Sequence, residues 1–152
     1  MELYYCTHLD LNSGEIIQPG NWGKILLSTG INHPSWYREN ILEAVRLEHF
    51  PGKPSRLAST FCCDSLDTIR CFRSSHNPTG HIYEVEHTDL RLPYHKGDFN
   101  AVEPLPRRTE NMFQIASLYW QYDLKTSVEE WPGIECSEIV SQSPIKIINK
   151  IV

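Results

Sequence analysis

A strict alternation of polar and apolar residues at positions 81–86 constrains the fold of this chain more than any other feature. The segment is His-Ile-Tyr-Glu-Val-Glu, and its two-residue period is typical of a β-strand. Apolar residues recur at helical spacing at about 35–49 and again at 109–122, which predicts two amphipathic helices. This mixture predicts an α+β fold. We expect a single domain over residues 1–152, because no linker, repeat or low-complexity tract interrupts the sequence.

Weaker signals predict the remaining elements. Aromatic and β-branched residues favour strands, and the strands expected lie at 3–7, 16–17, 24–27, 57–61, 134–140 and 145–151. Asp64 is expected to cap a helix over 65–72. The segment 88–106 has several prolines and few periodic features. We therefore predict a long irregular loop there, and such a loop often acts as a lid or faces a substrate.

The composition is that of an ordinary globular protein. Hydrophobic residues make up 40% of the chain and charged residues 22%. Since it has neither a basic leader nor a long apolar run, we predict a cytoplasmic protein with no signal peptide and no membrane span. The formal net charge of −5 argues against a broad nucleic-acid surface. Local basic spots, Arg70 with Arg73 and Arg107 with Arg108, leave a restricted contact open.

Metal ligands and nucleotide motifs are sparse in this sequence. Five cysteines are present, but none forms a C-x-x-C pair, so we interpret them as reduced thiols. His87 with Asp89, and His95 with Asp98, have no third group at regular ligand spacing, and no metal is predicted. No G-x-G-x-x-G, P-loop or G-x-S-x-G motif supports a dinucleotide fold, an NTPase or a serine hydrolase.

The chain begins with a strand and a polar bend whose residues are Tyr4-Tyr5-Cys6-Thr7-His8, Asp10-Leu11, Gly14, Ile17 and Pro19-Gly20. This arrangement resembles the first motif of the ADP-ribosyltransferase superfamily, in the form found in rifampicin-modifying transferases. The Thr7-His8 pair is similar to the opening of the DNA-modifying transferase toxins. Tyr5 stands where these families usually carry the His or Arg that grips the ribose of NAD, and a tyrosine hydroxyl can still donate and accept hydrogen bonds.

Two later segments carry the same resemblance. Ser59-Thr60-Phe61 resembles the Ser-Thr-Ser/Phe element that lies against the nicotinamide half of NAD in this superfamily. Glu138 is similar to the catalytic Glu of the Ala-Glu-x-Leu-Val strand in the DNA-modifying toxins. A turn containing proline and a run of isoleucines follow it here, as in those toxins.

The resemblance implies a role for each matching residue. Tyr5, Thr7 and His8 are expected at the adenosine or ribose side of NAD, Arg56 at the pyrophosphate, Ser59 and Phe61 at nicotinamide, and Glu138 as the catalytic carboxylate. A planar guanidinium matches phosphate geometry. Breaking the nicotinamide bond passes through an oxocarbenium-like ribose. A carboxylate stabilises that ribose and can orient the incoming nucleophile.

Three other acids compete with Glu138 for the catalytic role. Glu84 and Glu86 share one face of the strand predicted at 81–86, which resembles the Ile-Tyr-x-Val-Glu strand of the rifampicin-modifying family. Asp98 lies near that family's later acid and falls within the predicted loop. The sequence leaves the choice among these acids open.

Together these resemblances imply a split β-sheet with flanking helices that clasps NAD as co-substrate. The implied activity is mono-ADP-ribosylation by a toxin or defence effector, as in toxin–antitoxin and phage-defence systems. An RNA or DNA base is the favoured acceptor, contacted by Asp98, Arg107 and Arg108 in or beside the predicted loop. A neutralising antitoxin protein is the implied partner.

Two alternatives remain open from the sequence alone. The acceptor can instead be a protein or a small molecule, which the acidic net charge does nothing to exclude. The chain can also be a non-catalytic module that binds a nucleotide without turnover, an interpretation that Tyr5, in place of His or Arg, favours.

Overall fold

Two antiparallel β-sheets form the centre of the molecule. A computed structural model of the chain describes residues 2–104 and 108–152. Within these ranges the strands are β1 (Leu3–Thr7), β2 (Ile16–Ile17), β3 (Thr60–Cys62), β4 (His81–His87), β5 (Tyr94–Asp98), β6 (Ser137–Ser141) and β7 (Ile145–Lys150). The helices are α1 (Asn21–Thr29), α2 (Trp36–His49), α3 (Leu66–His76) and α4 (Met112–Gln121). Short 3-10 turns lie at Gly30–Asn32 and Arg56–Ala58.

The sheets have the strand orders β1-β4-β7-β2 and β3-β6-β5, and every pairing is antiparallel. They meet where Tyr4 and Cys63 exchange two backbone hydrogen bonds of 2.8 and 2.9 Å. A shared core lies against both sheets and is made of Leu3, Cys62, Tyr83, Val85, Ile139, Ile145 and Ile147. The two sheets therefore meet beside β1 and β3, and apolar residues pack across this junction.

A second core joins helices α2 and α4. Leu42 and Val45 of α2 pack with Ile115, Tyr119 and Trp120 of α4. The indole nitrogen of Trp120 donates to the Leu42 carbonyl at 2.9 Å. This packing joins the two helices, and one polar side chain from each, Glu39 of α2 and Tyr119 of α4, forms a hydrogen bond with Arg56.

The α+β class is confirmed, and several predicted elements lie close to their predicted bounds. Strands β1 and β4 and helix α2 are the clearest cases. The strand predicted at 24–27 is wrong, because these residues lie in α1, where Leu26 is buried and its neighbours are exposed. The cap of α3 is Ser65 rather than Asp64, since the Ser65 hydroxyl accepts from the Thr68 amide at 3.1 Å.

The long loop predicted at 88–106 contains strand β5. Tyr94–Asp98 pairs with β6 along its whole length, although its sequence, Tyr-His-Lys-Gly-Asp, has no apolar alternation. Backbone pairing with a buried neighbour has overridden weak local propensity here. Asp98 therefore ends a strand and does not sit in an open loop.

No helix within residues 2–104 and 108–152 is long and apolar enough to cross a membrane. The same residues contain no group of three or more His, Cys, Asp or Glu side chains placed to hold a metal ion.

Candidate functional site

A cleft of about 460 Å³ opens beside the join between the two sheets. Its size lies within the range of about 300–1,000 Å³ that is usual for small-molecule sites. Strands, helices and loops contribute to its lining, which includes Tyr5, Cys6, Trp22, Ile25, Arg38, Arg56, Phe61, Phe72, Phe99 and Glu138. The walls are mostly apolar and aromatic, with a few charged groups, a composition typical of a binding site.

Glu138 is the carboxylate that strand β6 brings to the wall of this cleft. The residue is only 4% exposed, yet it contributes to the cleft lining. Its Oε1 accepts hydrogen bonds from the Tyr119 hydroxyl at 2.7 Å and from Nη1 of Arg56. No described residue donates to Oε2. Two protein donors thus hold one oxygen of this carboxylate, and none of the described residues holds the other.

Arg56 lies between two buried carboxylates. Its Nε and Nη2 donate to Glu39 at 2.9 and 3.0 Å, while Nη1 faces Glu138 and the Tyr119 oxygen. Burial opposes the charge of the guanidinium, but Glu138 and Glu39 raise the pKa of Arg56 well above its ordinary value. Burial likewise opposes ionisation of Glu39, yet Arg56 and Arg38 hold its pKa below the ordinary value. The charges therefore persist inside the protein as a bonded group.

Tyr119 completes what we call the Glu138 cluster, defined as Glu39, Arg56, Tyr119 and Glu138. Burial raises the pKa of Tyr119 well above its ordinary value, and the opposing effect of Arg56 is met by the negative charge of Glu138. The hydroxyl therefore stays protonated and donates to Glu138. His95 supports Tyr119 from behind through a 3.0 Å hydrogen bond between its Nε2 and the Tyr119 carbonyl, and burial lowers the pKa of His95 to about 4.

Gly97 gives the Tyr119 ring its place beside Glu138. Gly97 lies opposite Glu138 in the β5–β6 pairing. A Cβ built on Gly97 would overlap the Tyr119 ring and lie 2.9 Å from its hydroxyl oxygen. Only a residue without a side chain allows the ring to cross the strand at this point.

We expect Gly97→Ala to destabilise the protein by about 1–3 kcal/mol, because the added methyl group must displace a buried ring. For a chain of this length, that corresponds to a fall in melting temperature of about 3–10 °C. The matched control is Gly52→Ala, since a Cβ at Gly52 meets nothing within 4 Å. Equal melting temperatures for the two variants would show that Gly97 is not needed to seat Tyr119.

The structure brings several of the sequence-predicted site residues to the cleft. Tyr5, Ser59 and Phe61 line it together with Arg56 and Glu138. Burial raises the pKa of Tyr5, which keeps its phenol neutral. The Ser59 hydroxyl donates to the Ser55 carbonyl at 2.5 Å. The ring of Phe61 lies 5.0 Å from the Arg56 guanidinium carbon, measured to the ring centroid.

Arg56 does not fit the role of a pyrophosphate ligand. Its donors are directed to Glu39, Glu138 and Tyr119, and the residue is only 6% exposed. The contact predicted between Arg56 and the pyrophosphate of NAD is therefore not supported by this geometry. The geometry makes Arg56 a support for Glu138.

Two residues of the first motif lie outside the cleft lining. The Thr7 hydroxyl accepts from the Leu9 amide at 3.2 Å, and His8 is exposed. Neither residue belongs to the set that lines the cleft. Strand β1 ends at Thr7, and the chain then turns into a polar bend. The arrangement therefore gives no support to the nucleotide contacts predicted for these two residues.

Of the predicted acceptor-side residues, the two that the structure describes, Asp98 and Arg108, do not line the cleft. Asp98 is 2% exposed, and its carboxylate accepts from the amides of Asn100 and Ala101 at 2.8 Å and from the Thr126 amide at 2.5 Å. These hydrogen bonds show that Asp98 stabilises the turn that follows β5. Burial raises the pKa of Asp98, and the hydrogen bonds from the amides oppose that rise. Arg108 donates to the Ala101 carbonyl, and Arg107 lies outside the described residues.

The competing acids of β4 lie away from the cleft as well. Glu86 is exposed, and Glu84 accepts from the side-chain amide of Asn149 at 3.1 Å. Neither lines the cleft. Among the four acids considered from the sequence, Glu138 is the one that does.

Sequence reasoning missed two members of the Glu138 cluster, Glu39 and Tyr119. Tyr119 lies on the apolar face predicted for its helix, and nothing in the local pattern marks it as a polar contact of a distant strand. Trp22, Phe72 and Phe99 likewise line the cleft from three separate segments. For Glu39 one signal was available but was not used: this charged residue lies three positions before Leu42, on the same face of the predicted helix.

A family model described as Protein of unknown function (DUF2441) matches residues 10–151 of the chain. A search of curated proteins with the sequence of the chain found no match. The matched range contains the whole Glu138 cluster and all of the cleft lining apart from Tyr5 and Cys6.

Proposed function

The chain belongs to the DUF2441 family, and we propose that it is an NAD-dependent mono-ADP-ribosyltransferase in which Glu138 is the catalytic carboxylate. The observation that carries the proposal is the state of this side chain. Oε1 is fixed by Arg56 and Tyr119, and Oε2 has no partner among the described residues, on the wall of a largely apolar cleft. A carboxylate held in this way is ready to accept a ribose hydroxyl.

The chemistry explains why one oxygen must remain available. Loss of nicotinamide leaves positive charge on the ribose, as loss of the leaving group does in glycoside hydrolysis. A preorganised carboxylate stabilises this charge at little reorganisation cost, and apolar walls strengthen the interaction by excluding water. The same oxygen can orient or deprotonate an incoming nucleophile.

The cleft also has surfaces that suit the two ring systems of NAD. Trp22, Phe61, Phe72 and Phe99 contribute aromatic faces or edges to its lining. Aromatic side chains favour stacked and edge-to-face packing with planar rings. Tyr5 keeps its neutral hydroxyl in the lining and can bind a ribose oxygen there.

The architecture supports the superfamily assignment that the motifs suggested. The sheet is split beside β1, the first motif lies on β1, the Ser-Thr-Phe segment leads into β3, and the acid lies on β6 next to β3. In this proposal, the fold is an ADP-ribosyltransferase-like split sheet whose two halves hold NAD between them.

For the acceptor we propose an RNA or DNA base, and for the biological role a toxin or defence effector restrained by an antitoxin protein. The support is the similarity of the Thr7-His8 and Glu138 segments to the DNA-modifying toxins. A protein or small-molecule acceptor is the alternative. The second alternative is a nucleotide-binding module without turnover, which Tyr5 favours because it replaces the usual His or Arg.

The test is nicotinamide release from NAD that is radiolabelled in its adenylate phosphate, with total RNA, DNA or protein added separately. We expect nicotinamide to be released and label to enter one nucleic-acid pool. Transfer into protein alone would replace the proposed acceptor. NAD binding without nicotinamide release in any mixture would leave the binding module as the function.

A further inference from the structure

Glu39 is a buried carboxylate that the proposed chemistry does not use directly. It lies in the first turn of α2, is 1% exposed, and does not line the cleft. Its two oxygens accept from Nε and Nη2 of Arg56 at 2.9 and 3.0 Å, and Oε1 also accepts from Nη2 of Arg38 at 3.1 Å. A second negative charge has thus been placed on the far side of the guanidinium that supports Glu138.

The geometry of the guanidinium explains what this second carboxylate does. Arginine presents two parallel N–H groups along its Nε–Nη2 edge, which bind a carboxylate in bidentate fashion. Glu39 occupies that edge. Glu138 is left with Nη1 alone, and only its Oε1 is engaged. If the edge were turned toward Glu138, both of its oxygens would be bound.

Tyr119 is the second residue that holds Glu138. Its hydroxyl accepts from Nη1 of Arg56 at 2.7 Å and donates to Oε1 of Glu138 at 2.7 Å. The ring is fixed by Gly97 beneath it and by the His95 contact to its backbone. The hydrogen bonds that Arg56 and Tyr119 donate to Glu138 therefore both end on Oε1.

We infer that Glu39 and Tyr119 are positioning residues that hold Glu138 by Oε1 alone, so that Oε2 is free to bind a ribose hydroxyl of NAD. The inference rests on the proposed transferase function. Neither residue touches the cleft, so both act through Glu138. Burying a second carboxylate costs free energy. In this inference, the role of Glu39 is to fix the orientation of Arg56.

The experiment compares Glu39→Gln and Tyr119→Phe with two matched controls. Glu43→Gln changes a carboxylate one turn further along α2, which pairs with Arg46 and Ser55. Tyr83→Phe removes the hydroxyl of another fully buried tyrosine, which donates to Leu9 and accepts from Leu11. Both controls lose comparable hydrogen bonds away from Glu138.

We expect kcat for nicotinamide release to fall about 10- to 100-fold in Glu39→Gln and Tyr119→Phe, as when a hydrogen bond to a charged group is lost. The affinity for NAD and the binding stoichiometry, measured by calorimetry, should stay within about twofold of wild type, since neither residue lines the cleft. The controls should keep both constants. Tyr119→Phe removes a single oxygen atom, so it provides the test if Glu39→Gln does not fold.

A double-mutant cycle separates positioning from a general loss of stability. Adding Glu39→Gln to Glu138→Gln should cause no further loss of rate, because residues that act as a unit are not additive. Independent, additive losses would overturn the inference. So would an unchanged kcat in both single variants when wild type is active.

The carboxyl carbon resonance of Glu138 gives a readout that does not need turnover. It is assigned by its disappearance in Glu138→Gln, and it should move in Glu39→Gln and Tyr119→Phe but not in the two controls. A resonance that stays in place in all four variants overturns the positioning role. If wild type releases no nicotinamide, the proposed function fails, and the catalytic part of this inference fails with it.

Discussion

Replacing Glu138 with Gln is expected to lower the rate of nicotinamide release by about 100-fold or more, the effect usual for a group that both stabilises charge and orients a nucleophile. Glutamine has nearly the same shape as glutamate, and its carbonyl oxygen can still accept from Arg56 and Tyr119. Only the negative charge beside the developing ribose cation is lost. Initial rates at saturating NAD measure the effect, with thermal melting to confirm that the variant is folded.

The matched control for this variant is Glu135→Gln. Glu135 lies three positions earlier, its side chain is 62% exposed, and its carboxylate is 3.6 Å from Nζ of Lys96. It is not among the hydrogen-bond partners of the Glu138 cluster, so the Glu135→Gln variant should release nicotinamide at the wild-type rate. Equal activity in Glu138→Gln and Glu135→Gln would refute the catalytic role of Glu138. Equal loss in both would point to a general effect of charge.

Replacing Arg56 with Met is expected to cause the largest loss of stability, about 3–5 kcal/mol, because it leaves two buried carboxylates without their common partner. The matched control is Arg46→Met. Arg46 pairs with Glu43 at 2.5 Å, but the Glu43 side chain is 21% exposed and can be hydrated. A loss of about 1 kcal/mol is expected there. Chemical denaturation measures both values, and equal losses would contradict the proposed burial cost.

The loss in Arg56→Met should depend on pH in a definite direction. In wild type, the pKa of Glu39 is lowered in the folded state, so its contribution to stability is present above the unfolded-state pKa and is lost as pH falls through the folded pKa. In the variant Arg38 still lies 3.1 Å from Glu39 and lowers this pKa, but its effect is smaller than that of burial, which raises it. The difference between variant and wild type should then be greatest near pH 7 and shrink toward about pH 4. Denaturation curves at both pH values check the sign.

Local patterns were enough to predict the long, periodic elements. The alternation at 81–86 and the helical spacing around 36–49 place β4 and α2 almost as the structure has them. The strand Leu3–Thr7 was also found, since its aromatic and β-branched residues favour a pleated surface. Strand β5 was missed because its residues have no such preference and are held by pairing with β6.

The candidate site was predictable only in part. Motif resemblance led to Glu138, Tyr5, Ser59 and Phe61, and the structure places all four on one cleft. Thr7 and His8 lie outside its lining, and Asp98 braces a turn. A resemblance identifies residue types in their order along the chain, but it does not show which of their side chains line a common cleft.

The sequence by itself determined the class of fold and the main helices and strands, because these depend on periodicity. Short motifs nominated Glu138 as one of several candidate acids. Only the tertiary structure decided how that acid is held. Glu39, Arg56, Tyr119 and Glu138 come from α2, a 3-10 turn, α4 and β6, and the contacts of Arg56 with the other three span 17, 63 and 82 positions. Such contacts arise when separate elements pack on a common core. No local pattern encodes them, since the hydrogen bonds exist only once every element is in place.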